Sequence, residues 1–438
     1  MASIDIETII DAAPLSRFQW QAIAICLSIG LLDGLDIQLI GVAAPALAHD
    51  WGLQPKDLGS VFMAAPAGMI VGALGLGPLA DRFGRKWLII TATLLFGLLT
   101  LATARVQSVQ ELTLLRFVAG IGLGGVLPNL IALVNEYSPK RLRGTITAIA
   151  FCGLPLGSMF GGLLARWAIP AFGWPSLFVI GGAIPILIAL AAIVLLPESI
   201  RYLLLDDTKQ SAVLALLKKI APFQPVTAVT NTAAASALPA KSSPLDLFGP
   251  RRTSITLLLS LSVGMNMFML YFLINWIPTL MHIAGMTPAN ALWSSILINL
   301  GGTLGAFSWG ILMDKFGNFR AMSFAGVTAA AAILLVGFGN DSKSLLLPAL
   351  FVTGFCVLGA QIGAYSLVAS VYPTRIRSSG VGTVLGIGRF GSVIGPMAGG
   401  LMLTLGWPIP LIFAAVAVPG LLSALGIWTT GRLPREFS

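Results

Sequence analysis

The chain carries twelve stretches of about 20 apolar residues, the length a helix needs to cross the hydrocarbon core of a bilayer. They run roughly over 19–47, 58–79, 87–105, 111–134, 145–166, 175–196, 254–281, 290–312, 320–338, 345–370, 381–404 and 409–430. Lipid offers no water to an unpaired backbone group, so an isolated strand is excluded and each stretch is expected to be a helix. Composition points the same way. Only 10% of the 438 residues are charged, 56% are hydrophobic and the mean hydropathy is +0.91. A soluble domain carries about 25% charged residues. A soluble enzyme of two or three domains is excluded, and the expected fold class is all-α integral membrane with twelve transmembrane helices.

Lys and Arg set the orientation of such a chain. With the N-terminus inside, twenty of them fall in inside segments and four in outside loops: Lys56, Arg105, Arg166 and Lys343. Both termini are therefore expected in the cytoplasm. The net charge of +9 is a topology signal and requires no nucleic acid. The first residues are acidic where a signal peptide is basic, so no cleaved leader is expected. The longest polar stretch follows the sixth span and is rich in small residues and Pro. It reads as a cytoplasmic linker with a short surface helix at SAVLALLKKI. The expected organisation is a six-helix bundle over 1–196, a linker over 197–252 and a second six-helix bundle over 253–438.

The two bundles share an internal repeat. GPLADRFGRK at 77–86 answers GILMDKFGNF at 310–319, 233 residues on. Pro139, Arg141 and Arg143 answer Pro373, Arg375 and Arg377 at 234. Gly157-Ser158 answers Gly391-Ser392, and Gly173-Trp174-Pro175 answers Gly406-Trp407-Pro408. Four ordered matches at nearly one offset mark a duplicated six-helix unit. Because six is even, the halves have parallel orientation, so two pseudo-symmetric bundles are expected.

GPLADRFGRK resembles the loop signature of the major facilitator superfamily, RFVAGIG from Arg116 resembles its RxxxGxG motif, and Pro197-Glu198-Ser199 with Arg201 resembles its PESxR sequence. More narrowly, LLDGLDIQLIGVAAPAL is similar to the DGxD signature of the aromatic acid:H⁺ symporter family. GIGLGGVLPNLIAL, FCGLPLG and GIGRFGSVIGP also resemble that family. The resemblance implies proton-driven import of benzoate-like or phenylpropanoid acids across a bacterial cytoplasmic membrane. The implied partners are an aromatic carboxylate, protons and lipid. One chain is the expected working unit. The proton gradient supplies the energy, without cofactor or metal.

An ionisable side chain at membrane depth is costly and usually functional. Of the 43 acidic and basic side chains, four sit well inside spans: Asp33, Asp36, Arg116 and Arg389. Asp33 and Asp36 share a helix face. Two close carboxylates in low dielectric do not both ionise easily, a property suited to proton coupling. A structural pair bonded to another helix is the plain alternative. Arg389 is near mid-depth and is expected to hold the substrate carboxylate by a paired fork. Arg116 is expected to be shallower; its likeness to RxxxGxG implies a place beside the proton carboxylate. The four charges sum to zero, so one anion and one proton can enter without leaving net charge.

Asn266, the repeat mate of Asp33, together with Tyr271, Asn275, Trp276, Gln361 and Tyr365, is expected to build the wall of an aromatic pocket. Packing or interfacial anchoring is the alternative for any one ring. Asp81, Arg82, Arg85, Glu136, Arg143, Asp314 and Arg377 end helices at the inner mouth, where ion pairs would close a gate. The glycine runs lie inside spans and open no βαβ unit, so a nucleotide site is rejected. Cys26, Cys152 and Cys356 carry no metal or disulfide spacing. No nucleophile–base set or P-loop is visible. Three rivals are weaker: another organic-anion carrier or proton-driven efflux antiporter, a sensor lacking a signalling domain, and a membrane enzyme lacking a reaction centre.

Overall fold

The computed structural model describes residues 6–204, 209–221, 252–339, 343–373 and 376–433. Among these the regular elements are helical, and twelve helices are long and apolar enough to cross a membrane. Spans 1–6 are Arg17–Trp51, Pro55–Phe83, Arg85–Thr103, Val109–Tyr137, Lys140–Phe172 and Pro175–Leu195. Spans 7–12 are Arg252–Ile283, Pro288–Phe316, Asn318–Phe338, Ser344–Val371, Ser379–Thr404 and Ile409–Arg432. Most outrun their apolar stretches by a few residues. Before span 1, Ser16 Oγ accepts from the Gln19 backbone N–H at 3.3 Å, and Gln19 Oε1 accepts from the Ser16 N–H at 2.9 Å. This reciprocal pair satisfies two of the amides that a helix start leaves open.

The repeat is written in the backbone. Among the described residues, glycines with positive φ are Gly52, Gly84 and Gly173, then Gly285, Gly317 and Gly406. Each of the first three lies 233 residues before one of the second. Gly84 and Gly317 turn at φ 92° and 83°, a region that strains other residues. Within the first bundle, spans 1 and 5 cross so closely that a Cβ on Gly34 would strike the Leu154 backbone. Small residues at such crossings let helices approach where lipid offers no hydrophobic drive.

One end of the molecule carries the basic loops; the other is here the far end. The two bundles meet mainly towards the far end. Gly59 packs on Gly400, where a Cβ would lie 3.3 Å from the Gly400 Cα. Phe62 meets Trp276 edge-on at 4.9 Å. Tyr271 Oη donates to Met69 Sδ at 3.8 Å. At the far surface Arg166 donates to the Ala289 carbonyl at 2.8 Å. Towards the basic end, the rings of Phe151 and Tyr365 face each other across the bundles at 5.5 Å. Beyond them opens a cleft of ≈ 420 Å³ lined by Arg143, Thr147, Ala148 and Ser366.

The expected surface helix is present at Gln210–Ile220. Val213, Leu217 and Ile220 are buried in one cluster with Ile9, Ile10 and Ile23. The remainder of the linker, 222–251, lies outside the described residues.

Two spans of the second bundle depart from regular helix. Span 10 contains a wide π-helical turn at Phe355–Gly359. Two carbonyls of that turn accept from other spans: Phe355 from Trp309 Nε1 at 2.8 Å and Val357 from Asn266 Nδ2 at 3.2 Å. Span 11 is irregular by one residue at Arg389, between Arg377–Gly388 and Phe390–Thr404, where the backbone stays right-handed at φ −61° and ψ −23° and the Arg389 N–H still donates to the Leu385 carbonyl at 3.0 Å. A π-helical turn commonly marks a functional site.

Candidate functional site

Asp36 sits in a closed polar network. Thr100 Oγ1 donates to Asp36 Oδ1 at 2.5 Å. Arg116 Nη1 reaches both Asp36 oxygens at 3.3 and 3.4 Å. Arg116 Nη2 donates to Thr100 and Thr103, each at 3.0 Å. The face of Phe178 covers the guanidinium at 5.5 Å. Arg116 is 1% exposed, so it turns inward to Asp36 instead of reaching for the surface. An arginine and a hydroxyl on a buried carboxylate offset the cost of its burial.

Asp33 is one turn earlier, and its surroundings are opposite. It is fully buried, and neither carboxylate oxygen has a hydrogen-bond partner among the described residues. An ionised carboxylate left this way is very costly, and a protonated one much less so. Arg389 lies close enough for its charge to act on Asp33, Tyr271 and Tyr365. Its guanidinium has no ion pair among the described residues, and the residue is half-buried in span 11. The turn is held by Ser392, whose Oγ donates to the Arg389 carbonyl at 2.6 Å. The site thus holds one committed Asp–Arg pair and one uncommitted acid and base.

The amides sit opposite these charges. Asn266 Nδ2 donates to the Val357 carbonyl and to Gln361 Oε1. A cavity of ≈ 50 Å³ lies between the bundles, lined by Leu127, Phe151, Leu154, Pro155, Ser158, Leu270, Ile274, Asn299, Leu358, Gln361, Ile362 and Tyr365. That holds a few waters, not a ring; ligand pockets run to about 300 Å³ or more. Phe151, Ile362 and Tyr365 also line the larger cleft, so they form the partition between cavity and cleft.

Gln361 and Tyr365 line the cavity as expected from their spacing. Tyr271, Asn275 and Trp276 do not form one wall. Asn275 donates back to the Tyr271 carbonyl at 2.7 Å. Trp276 is fully buried, donates to the Pro396 carbonyl at 2.8 Å and packs on Phe62, in the far-end contact. Residues five apart on a helix point to different faces, so adjacency in YFLINW did not guarantee a shared wall.

Of the residues at the basic end, Arg85 and Glu136 form an ion pair within the first bundle. Ser199 donates to the other Glu136 oxygen at 2.7 Å, and Glu198 accepts from the Lys86 N–H at 3.0 Å. This clasp ties spans 3, 4 and 6 together and does not cross between bundles. Arg82 is exposed and leans on Phe83. Arg143 lines the cleft and donates to the Ser138 carbonyl at 3.4 Å. Asp314 is exposed without an ion pair among the described residues. The side chains of Asp81 and Arg377 lie outside the described ones.

The family model for the Major Facilitator Superfamily matches residues 26–297 and 256–437. The chain belongs to that superfamily. It is 39% identical to a 4-hydroxybenzoate transporter, PcaK, of Pseudomonas putida, over 98% of this chain and 96% of that one. It is 36% identical to a gallate transporter of the same organism, with the same coverage. These relatives place it in the aromatic acid:H⁺ symporter family. The inward-open xylose transporter XylE of E. coli superposes with a TM-score of 0.76 over 95% of this chain and 97% of that one, at 18% identity. That likeness speaks to the fold. The major facilitator protein is a transporter and not an enzyme.

Four polar residues of this transporter escaped sequence reasoning. Thr100 and Thr103 are ordinary residues in TATLLFGLLTLAT, and nothing in their spacing announces an acid on another span. Gln38 and Asn299 are uncharged, so the high cost of charge in lipid does not single them out. The signal that could have found Gln38 is its place on span 1 beyond the two aspartates.

Proposed function

We propose that the transporter imports an aromatic carboxylic acid together with protons, by alternating access across a bacterial cytoplasmic membrane. The observation that carries this reading is the pairing of an uncommitted arginine, Arg389, with an uncommitted buried acid, Asp33. Arg389 binds the carboxylate. Asp33 takes the proton, because its carboxylate has no hydrogen-bond partner among the described residues, whereas Asp36 is engaged by Arg116 and Thr100. The names of the relatives supply the class of cargo. The cavity between the bundles, with its apolar walls, supports the same class.

The distribution of Lys and Arg puts the basic end, both termini and the linker in the cytoplasm. On that orientation the cleft faces inward, with the far end closed. When the bundles rock, the helix-end charges Asp81, Arg82, Asp314 and Arg377, with Arg143, approach and close the inner mouth, while Arg85 and Glu136 brace one bundle. The two six-helix bundles over 1–196 and 253–438 are the moving bodies. One chain supplies both walls of the site and is the working unit.

Asp33→Asn tests the coupling. Proton-driven accumulation in proteoliposomes is expected to vanish, while counterflow exchange of labelled acid persists, since exchange needs no net proton movement. Full accumulation by a folded Asp33→Asn protein would remove Asp33 from the proton path.

A further inference from the structure

Asn299 is the most constrained uncharged polar group in the cavity. It is 1% exposed and lies on span 8. Both hydrogens of its amide are used: one goes to the Ser295 carbonyl at 2.9 Å, the other to Gln38 Oε1 at 3.1 Å. Gln38 is also fully buried; it belongs to span 1 of the other bundle and donates to the Ile274 carbonyl at 3.4 Å. The bonds at nitrogen fix which way the amide faces. Its oxygen, Oδ1, then has no hydrogen-bond partner among the described residues, in a residue that lines the cavity.

A buried acceptor without a donor costs about 1–3 kcal/mol. Turning the amide over would not help, because it would break two bonds to make none. The missing partner is a donor brought in from outside. The neighbouring polar groups do not supply it. Ser158 Oγ already donates to the Gly34 carbonyl at 2.8 Å. Gln361 Oε1 accepts from Asn266, and its Nε2 has no partner at hydrogen-bond geometry, though Tyr365 one turn on lies against it. Most other lining groups are apolar. The cavity thus presents an orphan acceptor, Asn299 Oδ1, beside the Gln361 amide and the Tyr365 hydroxyl in an otherwise largely apolar wall, a set that a hydroxyl, being both donor and acceptor, satisfies.

We infer that Asn299 reads a hydroxyl on the aromatic ring, accepting its proton at Oδ1, and that Gln38 holds Asn299 in the accepting pose from the opposite bundle. The assignment rests on the aromatic-acid reading above and adds the ring substituent and the residue that selects it. It also gives the substrate a hand on both bundles: the group that recognises the ring is bonded across the interface at which they rock.

The test is a paired counterflow measurement on the full chain in proteoliposomes. The probes are benzoate, the three monohydroxybenzoates and, for the preferred one, its methoxy ether. The parent is expected to favour one hydroxybenzoate over benzoate by roughly tenfold or more, the scale of one buried hydrogen bond. The methoxy ether, with an oxygen but no proton to donate, is expected to do no better than benzoate. Asn299→Leu should lower the hydroxybenzoate-to-benzoate ratio of kcat/KM about tenfold. An unchanged ratio in folded Asn299→Leu overturns the assignment. So does a parent that moves the ether as well as the phenol, a result that requires no variant to fold. If the parent moves none of these acids, the aromatic-acid reading fails, and this one with it.

Discussion

Asp33 and Asn266 occupy matching places in spans 1 and 7, 233 residues apart, and they are treated in opposite ways. The carboxylate has no hydrogen-bond partner on either oxygen among the described residues. The amide nitrogen has two acceptors, the Val357 carbonyl and Gln361 Oε1. The same contrast runs through the bundles. Around Asp36 the first bundle places Arg116, Thr100 and Thr103. The second bundle carries uncharged amides in its interior: Asn266, Asn299 and Gln361. Duplication kept the scaffold, down to three pairs of positive-φ glycines. It did not keep the chemistry. One bundle holds a group whose charge can change; the other holds amides, whose charge cannot, and contributes Arg389 from span 11. A proton and an anion can then be handled by different bundles and still meet between them.

The largest effect separates the two aspartates. Asp36→Asn leaves Arg116 buried with its only carboxylate among the described residues removed. Losing one partner of a buried pair costs about 3–5 kcal/mol. Asp33→Asn removes no hydrogen bond among the described residues, and should leave stability unchanged or raised. Thermal unfolding of both proteins in detergent checks this: a deep loss for Asp36→Asn and none for Asp33→Asn is expected. Equal losses would mean that the two acids are not divided into anchor and carrier.

Much of this contrast is legible in the amino-acid sequence. The cost of charge in lipid picks out Asp33, Asp36, Arg116 and Arg389 from a chain that is 10% charged, and the offset of 233 pairs Asp33 with Asn266. The division of labour between the aspartates is not legible. They are three residues apart on one face, and what distinguishes them lies 64 and 80 residues away, in Thr100 and Arg116. Trp276 shows the opposite difficulty. Its neighbours in sequence suggest a pocket, but the helix turns it to Pro396 and Phe62.

The next effect concerns Arg389 and substrate charge. An ammonium lacks the paired fork, so Arg389→Lys should weaken acid binding although the charge is kept. Arg389→Gln should weaken it further. Loss of a hydrogen-bonded buried charge pair costs roughly 2–5 kcal/mol, on the order of 30- to several-thousand-fold in affinity. The amide analogue of the acid binds the parent poorly and should change much less. Binding of acid and amide to the parent and both variants, with a check of folding, measures this. Parental affinity for the acid in Arg389→Gln would move the carboxylate away from the second bundle, towards Arg116.

The smallest effect compares two glycines on span 11, one at each end of the same helix pair. At Gly400, a Cβ would lie 2.9 Å from the Pro55 carbonyl and 3.0 Å from the Gly59 Cα, across the far-end contact. Backbone atoms cannot swing away as a long side chain would, so Gly400→Ala must part spans 2 and 11 there. Overpacking of this kind costs about 1–3 kcal/mol. That cost falls only on the state in which the far end is closed, so the balance should move about tenfold or more towards the open one. At Gly386, towards the basic end, a Cβ would meet nothing within 4 Å. Gly386→Ala should leave the balance alone. A cysteine introduced at Met69, whose sulfur meets Tyr271 in the closed contact, reports the difference through its rate of labelling by a membrane-impermeant maleimide added from the far side. Faster labelling in Gly400→Ala and parental labelling in Gly386→Ala are expected. If both variants label at the parental rate, closure at the far end does not depend on the glycine crossing, and the aromatic contact between Phe62 and Trp276 becomes the element that holds it shut.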